Sequence, residues 1–120
     1  MGRTSDIFYT LQVIQPDPGN TGGITEGKKI CDMAHMYDIA VQLHVSGGPI
    51  ATAAALQVET AIPNFLIYEH HMAALLQDNI DTCLYDYQPV NGYFDVPDRP
   101  RIGQELSEKA IKPEIITTIK

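Results

Sequence analysis

The chain has 120 residues, 44% of them hydrophobic, and a formal charge of −7 with a pI near 4.8. That length allows one domain with a modest core and falls well short of the about 250 residues of a complete α/β barrel. The acidic balance argues against nucleic acid or an anionic membrane surface as the principal partner. No apolar run nears the roughly 18 residues of a membrane span, and the opening MGRTSDIFYT lacks the apolar core of a signal peptide. Two well-separated cysteines, Cys31 and Cys83, make neither a disulfide framework nor a zinc pattern. A reducing cytoplasm is the expected compartment.

Taken in order, residues 4–10 can start a helix capped by Thr4 or Ser5, or residues 7–15 can form one long strand. The first firm strand spans residues 11–15 and ends at Pro16. PDPGNTGG is a loop by its turn residues. The spacing of Ile24, Gly27, Ile30, Cys31, Ala34 and Tyr37 predicts a helix over residues 24–38, with Thr21 as its cap and Cys31 as a small buried residue. A second strand spans residues 39–43. Pro49 suits a first helical turn, and the helix to residue 61 is apolar nearly all round, so it is covered on more than one side. Pro63 and Asn64 break it, and a third strand spans residues 65–68. Residues 72–100 are acidic and rich in Tyr and Pro, with Asn91–Gly92 as a hairpin turn. A short helix is predicted over residues 104–111. Strand–helix–strand–helix–strand with short loops predicts a parallel α/β sheet, whose strands are normally buried on both faces. Three strands alone leave two open edges, so the sheet reads as part of a larger one.

Each of the three strands ends on a residue able to carry charge or a proton: Asp17, His44 and Glu69. Parallel α/β enzymes place their chemistry at that end of the sheet. A histidine can act as acid or base at neutral pH. A carboxylate on one of its nitrogens fixes the tautomer and raises basicity at the other. Glu69 can share a proton with a developing oxyanion. The plainer alternatives are a locally satisfied histidine, a turn aspartate between prolines, and a charged strand end. His70 and His71 are adjacent on a strand and point to opposite faces, which disfavours a shared metal. His35 reads as a surface or packing residue. GNTGGI lacks both the P-loop ending and the dinucleotide fingerprint, so its glycines read as serving backbone conformation, with anion binding a minor alternative.

The run VIQPDPGNTGGI, the segment LHVSGGPI and PNFLIYEHH, in that order, resemble the last third of the catalytic barrel in the mandelate racemase/muconate lactonizing branch of the enolase superfamily. The closest resemblance is to sugar-acid dehydratases of the galactonate dehydratase type. GYFDVPDRPRIGQEL is similar to their C-terminal stretch, and the resemblance covers roughly residues 11–112. It implies an α/β fold, a partial TIM-type barrel of about three parallel βα units. Residues 1–10 are then a lead-in, 11–71 the barrel portion, and 72–120 a tail joining the family's capping region.

The resemblance also implies Mg²⁺-assisted removal of the proton α to a carboxylate. In that scheme His44 is the acid/base catalyst, Asp17 its dyad partner, and Glu69 the acid that helps stabilise the intermediate. Loss of the β-hydroxyl then gives a 2-keto-3-deoxy sugar acid. The family's metal ligands lie on earlier strands that this chain does not contain, so the 120 residues alone are expected to be inactive, as part of a longer enzyme or a truncated product. Arg101 stands where the family commonly has glycine. Two alternatives remain open: a racemase or epimerase using the same half-site, and a non-catalytic fragment that forms homo-oligomers or associates through its sheet edges. The partner expected in either enzyme reading is a small sugar acid, without nucleic acid or membrane.

Overall fold

The structure is a computed structural model and describes residues 11–112. The expectations for residues 1–10 and for the last eight residues lie outside the described residues. The architecture is α/β. Strand β1 (Val13–Ile14) pairs in parallel with β2 (Ala40–Val41), with Val13 opposite Ala40 and Ile14 opposite Val41. Helix α1 (Ile24–His35) connects them, and α2 (Pro49–Thr60) follows β2. Both helices pack on one face of the sheet. Cys31 and Ala34 of α1, Val41, Leu43 and Val45, and Ala55, Val58 and Ile62 form the core.

Regular strand geometry is shorter than the apolar runs suggest, yet the backbone pairing continues. Ala40 N–H donates to Gln12 O, Gln42 N–H to Ile14 O, and His44 N–H to Pro16 O. The expected third strand contributes one parallel bridge, Val41 to Phe65. Nor are these strands buried on both faces. Val41, Leu43 and Val45 are 0%, 0% and 3% exposed, while Ala40, Gln42 and His44 are half-buried. The alternation is that of a sheet covered by helices on one side only.

Helix α1 stops three residues before the predicted end, for a backbone reason. Asp38 sits in the left-handed region at φ 56°. Its N–H donates to His35 O, and Ile39 N–H donates to Ala34 O. This is a Schellman closure with Asp38 in the usual glycine position. Gly27, Cys31 and Ala34 are buried as predicted, and Ile30 is half-buried. Ile24, in the open first turn, is 40% exposed, and Tyr37, past the helix end, is 54% exposed. The expected Thr21 cap does not form. Gly23 is the cap position, no side chain bonds there, and Gly22 and Gly23 adopt φ 99° and 95°.

The C-terminal portion folds over α2 and the edge at Phe65. A 3₁₀ turn (Met72–Leu75) and a single-turn α3 (Gln77–Ile80) were not anticipated. Val90 and Tyr93 exchange backbone hydrogen bonds across Asn91 and Gly92, at φ 52° and 82°. That is the predicted hairpin, with a type I′ turn. The helix expected over residues 104–111 shrinks to α4 (Glu108–Ile111), because Gln104 is buried and bonded to both backbone groups of Tyr85. Gln57 Nε2 donates to Pro97 O, tying α2 to this portion. Among the described residues, no helix is long and apolar enough to cross a membrane.

Candidate functional site

The pairing of β1 with β2 brings two of the three predicted residues together. Because His44 N–H reaches Pro16 O, the residue after Pro16 lies beside His44. His44 Nδ1 is 2.9 Å from Asp17 Oδ2. The Asp17 carboxylate can only accept, so His44 Nδ1 carries the proton and Nε2 is the free basic atom. Asp17 is also the turn residue of the plainer reading. Its Oδ1 accepts from Gly19 N–H at 2.7 Å, and its Oδ2 also accepts from Asn20 Nδ2 at 2.9 Å. Its backbone carbonyl accepts from Asn20 and Thr21 N–H. The turn therefore locks the rotamer that meets His44.

The electrostatics follow from this geometry. Burial pushes the Asp17 carboxyl up, but the hydrogen bonds from His44 and Gly19 more than offset it and leave it below the usual carboxylate value. The Asp17 hydrogen bond lifts the His44 imidazole above its ordinary value; desolvation opposes this, and the charge of Glu69 adds to the rise. The pair is only partly buried, with side-chain exposures of 41% for His44 and 16% for Asp17. A cleft of about 350 Å³ opens beside it, lined by Pro18, Gly23, Ile24, Gly48 and Ile50 as well as the pair itself.

Glu69 follows the Phe65 bridge by four residues. Tyr68 and His70, its neighbours, both pack on Phe94, with ring centroids 4.3 Å and 5.4 Å away. Alternation along an extended chain turns Glu69 the other way, and its Oε2 is buried without a hydrogen-bond partner. Among the described residues, no three or more His, Cys, Asp or Glu side chains converge as a metal-holding set.

One titratable residue escaped the sequence reading. Glu59 of α2 is 5% exposed, and its Oε1 accepts from Leu43 N–H at 3.3 Å. Burial pushes its carboxyl up to about 8, with the Leu43 hydrogen bond pulling the other way. The signal was available: Glu59 is the one acid in an otherwise apolar helix, three residues from Leu56 and four from Ala55 on the buried face. Asn64 does more than break the helix. Its Nδ2 donates to Cys31 O and Ile39 O, joining the end of α1 to the start of β2.

Comparison with known proteins places the chain in a family. The chain is 35% identical over 108 residues to a D-xylonate dehydratase of Haloferax volcanii, covering 88% of this chain and 26% of that protein. It is 33% identical over 106 residues to a D-galactonate dehydratase of Pectobacterium atrosepticum, covering 84% and 28% respectively. The crystal structure of an enolase superfamily member from Salmonella Typhimurium superposes with a TM-score of 0.89 at 59% identity, covering 92% of this chain and 28% of that one. The chain thus spans about a quarter of the length of these relatives. The enolase C-terminal domain-like family model matches residues 9–110, and the chain belongs to that family.

Proposed function

We propose that this chain is the acid/base portion of a sugar-acid dehydratase, built as three βα units of a partial TIM-type barrel over residues 11–71, with residues 72–120 as its tail. The observation that carries this reading is the 2.9 Å contact between His44 Nδ1 and Asp17 Oδ2 at the carboxyl ends of neighbouring parallel strands. His44 Nε2 removes the proton α to the substrate carboxylate, and Asp17 steadies the imidazolium that forms. The β-hydroxyl leaves as water after receiving a proton, and the resulting enol becomes a 2-keto-3-deoxy acid. Glu69 supports the charge on the intermediate. Similarity to D-xylonate and D-galactonate dehydratases supports a pentonate or hexonate as substrate. A cytoplasmic setting fits such chemistry.

In this reading the ligands for Mg²⁺ come from strands other than these three, and the 120 residues alone do not turn over. The test mixes the chain with the remaining portion of the 59%-identical Salmonella protein and follows dehydration of pentonates and hexonates. Turnover is expected only in the mixture, and His44→Asn abolishes it. Turnover in the mixture that survives His44→Asn refutes the assignment. Deuterium incorporation without loss of the β-hydroxyl replaces the dehydratase with a racemase or epimerase.

A second reading, association through the open sheet edge, is favoured by Phe65, Leu66 and Ile67, which are 45%, 53% and 57% exposed. A second copy could add to that edge. Sedimentation over a hundredfold concentration range tests it, and a constant monomer mass rejects it.

A further inference from the structure

The parallel ladder beyond β2 is interrupted at one position, and a side chain takes the vacated bond. Val41 N–H donates to Asn64 O, and Leu66 N–H donates to Val41 O, both at 2.8 Å. A continuing parallel ladder would send the next N–H on that edge, from Leu43, to the carbonyl of residue 66. It goes instead to Glu59 Oε1. The opposite edge of the same segment is held by Gln42 N–H on Ile14 O and His44 N–H on Pro16 O. The residue before His44 is thus anchored by a carboxyl from α2, and the residues on either side of it by the carbonyls of Ile14 and Pro16.

Burial makes this contact consequential. Leu43 is fully buried and Glu59 is 5% exposed, so an unpaired Leu43 N–H would have little access to water. Glu59 also lines a cavity of about 540 Å³ with Tyr68, Phe94 and His70. The titratable groups around it come from three directions. Tyr68 follows the Phe65 edge, with its hydroxyl pushed up to about 12 by burial. Cys31 belongs to α1, where burial and then Asp32 hold its thiol up. His70 shares the cavity wall.

We propose that Glu59 is a positioning residue for the acid/base pair: its carboxyl substitutes for a sheet carbonyl at Leu43 and sets the strand end from which His44 meets Asp17. This rests on the reading of His44 and Asp17 as that pair. Glu59 touches no reacting atom in it, and acts through the backbone of Leu43.

The test is NMR of the full chain between pH 5 and 10, following the Leu43 amide and the His44 ring. In the unaltered chain the Leu43 amide proton moves downfield with a midpoint near 8, because an ionised acceptor makes a stronger hydrogen bond. Glu59→Gln abolishes that titration, keeps the amide protected, and leaves the His44 midpoint in place. Glu59→Leu speeds Leu43 exchange about tenfold relative to Glu59→Gln and moves the His44 midpoint toward 6.5. A Leu43 amide that does not respond between pH 6 and 10 overturns the proposal. So does a Glu59→Leu chain whose Leu43 exchange and His44 midpoint match those of Glu59→Gln. Asp17→Asn separates the two claims. If it leaves the His44 midpoint unmoved, the pair itself fails, while the Leu43 response still judges the Glu59 contact.

Discussion

Replacing Glu59 by Gln should make the chain more stable at neutral pH and leave it nearly unchanged in mild acid. In the folded chain burial holds the carboxyl to about 8, against an ordinary value of 4.5. Below 4.5 both folded and unfolded forms are protonated, and Glu59 has no pH-dependent effect. Between 4.5 and about 8 the unfolded chain ionises while the folded chain keeps its proton, so stability falls as pH rises. Above about 8 the loss is constant. Each pH unit is worth about 1.4 kcal/mol, so the gap from 4.5 to about 8 corresponds to an upper limit of roughly 5 kcal/mol. At pH 7 the expected loss is about 3 kcal/mol, and at pH 5 it is under about 1 kcal/mol. A domain of this size is stable by only about 5–15 kcal/mol in total, so the effect is readily measured. Glutamine keeps an oxygen for Leu43 N–H and has no proton to lose. Urea titrations of both chains at pH 5, 7 and 9 should therefore diverge with pH, the variant gaining relative to the parent. Parallel pH profiles for the two chains would refute the argument that Glu59 folds into its site as the neutral acid.

The His44–Asp17 pair has the opposite logic at each end. The lowered carboxyl of Asp17 contributes stability above 3.8 that is lost as pH falls through its folded value, and the raised imidazole of His44 contributes below 6.5 and loses it as pH rises through its own. Asp17→Asn should return the His44 ring titration toward 6.5 by NMR and flatten the acid limb of the stability profile. A Cβ added at Gly103 would lie 2.2 Å from Pro97 Cβ at φ 80°, so Gly103→Ala should lower the unfolding free energy measured by urea titration by about 2 kcal/mol or more. Arg101 holds φ 65°, a left-handed position that costs an L-residue about 1 kcal/mol. Arg101→Gly should therefore be neutral or raise the melting temperature slightly, because the relief is partly offset by the entropy of an unfolded glycine; a drop of several degrees would contradict this.

Much of the local structure was determined by the sequence itself. The spacing of Gly27, Cys31 and Ala34 sets α1, and Pro49 with the apolar run after it sets α2. Asn91–Gly92 makes its turn because those residues tolerate positive φ. Each of these rests on contacts within a few residues, which a periodic pattern can encode. Arg101 in place of a common glycine could be noticed in the sequence, but its cost became physical only with its φ. That Asp17 and His44 follow neighbouring paired segments was also legible, because apolar runs stop at them; the run before Glu69 forms one bridge in place of a strand.

What only the tertiary structure decided is how those ends meet. The 2.9 Å contact depends on the register of β1 against β2, which joins residues 27 apart in the chain. Local propensity carries no record of that register. The third strand makes one bridge, and the Leu43 N–H that would extend it goes to Glu59, from a helix. The sequence presents Glu59 as one acid on an apolar helix; only packing decides that it is buried, which backbone group it meets, and therefore that its proton stays on at neutral pH. A local pattern states which face a side chain prefers. The free energy of a buried charge depends on partners brought from elsewhere in the chain.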